Sequence, residues 1–104
     1  MDNFKAVYMI LSALEKAMDL PDFDIHDIGP KQLEVSEERW MRYLEMMTDV
    51  GYIKGPRFQK NVLGKTEMIA FDVRITLKGL EYLQENSIMQ RVYKTAKGIV
   101  DLVP

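Results

Sequence analysis

Apolar side chains at Trp40, Met41, Tyr43, Leu44, Met46, Met47 and Val50 recur at three- and four-residue spacing, which predicts an amphipathic helix over 37–50. At 100° per residue they cover an arc of roughly 220°, wider than the stripe of a helix that packs on one side only. Ser36 is a good N-cap, Glu37 and Glu38 suit the positive end of the helix dipole, and Gly51 supplies a left-handed stop.

Upstream, Phe4, Val7, Tyr8, Leu11, Leu14 and Met18 form one apolar stripe. They predict a helix over 3–19, capped by Asp2 or Asn3 and ended by Leu20-Pro21. In PDFDIHDIG the beads Phe23, Ile25 and Ile28 alternate with acids, which predicts a short strand at 23–25. Asp27 is then placed to cap a brief helix over 28–33, with Pro30 tolerated in its first turn. Glu34-Val35-Ser36 reads as the turn between this short helix and the long one.

Downstream, residues 52–75 predict a hairpin. Gly55-Pro56 interrupts its outgoing strand, and 61–65 holds the turn, with Gly64 free to take positive φ. On the return strand Ile69, Phe71, Val73 and Ile75 alternate with Met68, Ala70, Asp72 and Arg74, the pattern of a half-buried strand. Thr76 caps a further helix with Leu77, Leu80 and Leu83 inward. Asn86-Ser87 reads as a stop and a new N-cap. A last helix from Ile88 carries Met89, Val92, Tyr93, Ala96, Ile99, Val100 and Val103, opposite Arg91, Lys94 and Lys97. The expected fold is a single domain over 1–104, α+β and mostly α. It is a winged helix-turn-helix with a two- to three-stranded wing sheet and an additional C-terminal helix.

Composition changes this picture only at the margins. A hydrophobic fraction of 47% and a charged fraction of 29% over 104 residues suit one globular core. The absence of cysteine excludes disulfides and thiolate metal sites. No basic leader with a cleavage site and no spanning apolar run is visible, so the expected location is the cytoplasm, away from membranes. The charge is asymmetric: residues 1–53 hold five Lys/Arg and eleven Asp/Glu, whereas 54–104 hold nine and five.

Three stretches, SEERWMRYLEMMTDVGYIKG, ITLKGLEYL and YKTAKGI, give the chain a resemblance to the YjcQ-like family, small winged-helix proteins of Gram-positive bacteria and their phages. The resemblance implies the winged-helix fold and carries no catalytic residues with it.

The search for chemistry points away from an enzyme. There is one histidine and no cysteine, and Ser12, Ser36 and Ser87 sit at helical or capping positions, so no nucleophile and base can be paired. Asp22-x-Asp24-x-His26-Asp27 suggests a metal loop but fails the calcium pattern at its sixth and twelfth positions, Asp27 and Leu33. No catalytic residue, metal site, cofactor or small-molecule ligand is expected.

Double-stranded DNA is the partner the expected fold invites. Lys54, Arg57, Lys60 and Lys65 lie on the wing with no acid between Lys54 and Thr66, and Arg39 and Arg42 are the cations that the long helix can offer. The same helix centres Glu38, Glu45 and Asp49 on its polar face, which repels phosphate. The alternative is a protein-interaction module that keeps the fold without reading DNA, with homodimerisation through the terminal helices as one form.

Overall fold

The computed structural model describes the backbone of residues 2–98 and the side chains of residues 2–87. Helix α1 spans Asn3–Lys16 and starts where the Asp2 carboxylate accepts from the Lys5 amide at 2.9 Å. Its buried residues are Ala6, Ile10, Leu11 and Leu14, while Phe4 and Met18 are exposed. The buried face is thus turned by roughly 70° from the expected stripe. Ala6 and Ile10 continue the same i, i+4 spacing, and packing selected that row. Met18 lies beyond the helix, in a 3-10 turn over Ala17–Asp19.

No strand forms at 23–25. The Asp24 side chain accepts from the His26 amide at 2.9 Å, so that amide is committed to a local turn instead of a ladder, and a 3-10 turn covers Ile25–Ile28. Helix α2, Pro30–Leu33, begins at Gly29 and not under an Asp27 cap: the Gly29 amide donates to Gln32 Oε1 at 2.9 Å. Glu34, in the left-handed region at φ 57°, turns the chain into the next helix. Helix α3 is Glu37–Asp49, with Ser36 Oγ accepting from the Arg39 amide at 3.1 Å and Gly51 following at φ 87°. Trp40, Met41, Tyr43, Leu44 and Met47 are buried, but Met46 and Val50 face outward. That narrows the buried arc to roughly 160°.

The expected hairpin is two separate pairs. Strand β1 (Ile53–Lys54) runs antiparallel to β4 (Arg74–Ile75), and β2 (Arg57–Lys60) to β3 (Thr66–Ala70). Between the pairs Gly55 adopts φ 106°, and a Cβ there would collide with the Asp72 carbonyl. Opposite, the Val73 amide donates back to the Phe71 carbonyl at 2.9 Å. A strand interrupted in this way does not keep one alternation. Met68 and Val73 are buried while Ile69 and Phe71 are half exposed, so the faces of β3 are the reverse of those expected.

Helix α4 runs Leu77–Gly98. Thr76 caps it by accepting from the Gly79 amide at 3.1 Å, and its hydroxyl donates to the Gly51 carbonyl. Leu77 points outward, whereas Tyr82 and Leu83 pack on the core. The helix passes through Asn86 and Ser87 without a stop. Asn86 Nδ2 donates to the Tyr82 carbonyl at 2.8 Å and Ser87 Oγ to the Gln84 carbonyl at 3.1 Å, so both side chains bond within the helix that they were expected to end. The apolar stripe expected from Met89 to Val103 lies outside the described side chains. Among the described residues one cluster joins α1, the Ile25 turn, α2, α3, β1 and β3 into a core, and no polar or charged side chain is buried. The chain is α+β and mostly helical, with small antiparallel strand pairs.

Candidate nucleic-acid interface

The β2–β3 ribbon meets α3 through β3, with Met68 in the core. Its other end is a turn organised around the Asn61 side chain. Asn61 Oδ1 accepts from the Leu63 amide at 2.9 Å and from the Lys65 amide at 3.1 Å. The Asn61 amide donates to the Lys65 carbonyl at 2.9 Å, and Gly64 takes φ 80° in open space. The turn holds Val62 and Leu63 at 101% and 80% exposure.

Arg57, Lys60 and Lys65 are exposed on this ribbon. Lys65 Nζ lies 3.8 Å from Glu38 Oε2, tying the tip to the first turn of α3. Glu67, the acid of β3, accepts from Gln59 Nε2 at 3.3 Å across the pair. The other expected cations stand elsewhere. Lys54 sits on β1 in register with Arg74, beside a depression that also contains Asp22 and Asp72, and Asp72 Oδ1 accepts from Arg74 Nε at 3.2 Å. Arg39 and Arg42 border a groove of about 690 Å³ between α1, α3 and α4, whose apolar wall is Phe4, Met46, Val50, Tyr52 and Tyr82. Arg39 Nη1 donates to Asn3 Oδ1 at 2.9 Å, and the Tyr43 hydroxyl donates to the same oxygen at 2.6 Å. The structure therefore brings Arg57, Lys60 and Lys65 onto one ribbon and separates them from Lys54 and from the Arg39–Arg42 pair. On α3 the acids Glu37, Glu38 and Asp49 are exposed.

Two titratable sites depart from ordinary behaviour. The His26 amide, together with the His26 ring at 2.8 Å, holds the Asp24 carboxyl below the usual carboxylate value. Burial and the nearby Tyr52 push the Tyr82 phenol up, the two rings being 4.8 Å apart. The His26 ring is tilted against Trp40 and Phe71, at 5.5 and 5.6 Å between centroids. No group of three or more metal-ligating side chains is assembled among the described residues.

Sequence reasoning missed two features. The exposed aliphatic pair was open to discovery, because two branched apolar residues between a turn-forming Asn and Gly have no core to reach. The apolar wall of the groove gave no such signal, since Phe4, Met46 and Val50 fall on helical rows that read as core.

The fold and surface define a small, mostly helical α+β protein with a basic two-stranded ribbon beside an acidic helix. The family model described as YjcQ protein matches residues 8–102, and the chain belongs to that family. Searches of curated proteins and of solved structures found no significant match. No helix among the described residues is long and apolar enough to cross a membrane.

Proposed function

We propose that this chain is a non-enzymatic winged-helix protein that binds double-stranded nucleic acid through the β2–β3 ribbon as its wing, in a role related to transcription. The order of three helices, two nested antiparallel strand pairs and a fourth helix supports the fold reading. One observation carries the function: Arg57, Lys60 and Lys65 are exposed on a single ribbon, where phosphates can reach all three. The contribution of α3 is small, because its exposed acids oppose phosphate and its two arginines border the groove toward α1. Three phosphate contacts give a slope of log affinity against log salt near −2.7. Fluorescence anisotropy with a random duplex at low salt measures it. No binding at about 10 μM protein sinks the reading, because non-specific affinity reaches that range.

A second reading, that of a protein-interaction module, is favoured by the groove. Phe4 is 75% exposed and Met46 and Val50 stand beside it, a contiguous apolar wall at the junction of three helices. A second copy of the chain fits this reading. Sedimentation velocity decides it: a concentration-dependent dimer abolished by Met46→Lys supports the module, and a monomer at every concentration removes the second copy.

A further inference from the structure

We propose that Val62 and Leu63 form an apolar wedge that enters the minor groove of duplex DNA and opens a base step, bending the duplex; this rests on the reading of the ribbon as a nucleic-acid wing. Hairpin turns are ordinarily made of Gly, Asn, Asp, Pro and Ser, because the tip is solvated. Here two adjacent aliphatic side chains occupy the tip at 101% and 80% exposure. They are also held in place: Asn61 Oδ1 fixes the amides of Leu63 and Lys65, so presenting them costs little further ordering on binding. Such a tip does not serve the core, since both side chains stand in solvent and neither packs against the buried cluster.

The charges around the tip select the occupant. Lys60 and Lys65 flank it, and Arg57 stands three residues back along β2, roughly 10 Å from Lys60. A flat anionic surface touched by the tip engages the two lysines and leaves Arg57 behind. A groove walled on both sides by phosphates engages cations along the length of the ribbon while the tip meets the floor. Side chains such as Leu inserted between base steps kink DNA in this way. The minor groove, about 6 Å wide, admits the ribbon tip as the inserted side chains open it, and the contact of Lys65 with Glu38 of α3 breaks as the tip enters.

The full chain is tested with a 20-base-pair random duplex carrying a donor and an acceptor dye at its ends, with anisotropy and end-to-end energy transfer read together. The wedge predicts that binding shortens the end-to-end distance. Val62→Ser/Leu63→Ser, which changes only exposed side chains, should weaken binding about tenfold and abolish the shortening while leaving the salt slope unchanged. Arg57→Gln should lower the slope by about one and keep the bend. Unchanged affinity and bend in the double serine variant overturn the wedge and leave the ribbon reading standing. Salt-sensitive binding that never bends the duplex does the same. Absence of any duplex binding by the parent chain overturns both. Vesicles of phosphatidylserine and phosphatidylcholine form the last arm: binding there that depends on Val62 and Leu63, without duplex bending, replaces the wedge by a lipid-inserting tip.

Discussion

Single residues hold this fold where the chain bends sharply. Gly55 combines φ 106° with an approach to the Asp72 carbonyl that leaves no room for a side chain. Gly55→Ala should therefore cost about 2–3 kcal/mol, read as a lower urea midpoint. Ser36 caps α3 by one bond to the Arg39 amide, and its replacement by Ala should cost about 1 kcal/mol. Asp24 contributes to the acid limb. Its carboxyl is held below the ordinary value by His26, so its contribution is present above the unfolded pKa, near 3.8, and disappears as pH falls through the lower folded value. Asp24→Asn should flatten the stability profile below about pH 4, which thermal melts across that range will show.

The elements that were legible in the sequence are those whose signals are local. The start of α3 at Ser36, its end at Gly51, the turn around Gly64 and the cap at Thr76 each depend on one residue's own chemistry. What was not legible depended on a choice between equivalent rows. On α1, the row through Ala6 and Ile10 and the row through Phe4 and Val7 share one helical spacing, and only the neighbouring elements decide between them. On β3 the interruption at Phe71 and Val73 shifts the faces, a change that no alternation pattern can announce. The reversal is measurable. Met68→Ala, at a position 6% exposed, should cost about 2–4 kcal/mol, while Ile69→Thr, 46% exposed, should stay within about 0.5 kcal/mol. Equal effects at both positions would contradict the face assigned to β3. The expected break at Asn86 and Ser87 failed for a related reason: a hydroxyl and an amide that can cap a helix can equally bond to carbonyls of the preceding turn.

At the scale of the molecule, the charge split read from the sequence has a spatial meaning only in part. The ribbon gathers Arg57, Lys60 and Lys65, but Lys54 lies beside carboxylates and Arg39 is engaged with Asn3. Sequence distance grouped four wing cations, whereas the break at Gly55-Pro56 set the first apart from the other three. Counting charges could not reveal this, since it depends on where the sheet divides. The apolar groove shows the complementary failure, because amphipathic spacing marks a helix face without saying whether that face is covered.

Lys65 meets Glu38 beside the tip of the ribbon. At 3.8 Å and largely in water, the contact is a weak tether, worth at most about 1 kcal/mol. On the proposed reading of the ribbon, the Glu38 carboxylate would compete with an incoming phosphate for Lys65. Glu38→Gln removes the competitor and should tighten duplex binding by up to about fivefold at low salt, a difference that titration anisotropy resolves and that should vanish as salt is raised. On the proposed reading of the ribbon, then, Glu38 would act as an internal threshold, setting how strong a field an incoming anion must bring before the ribbon yields to it.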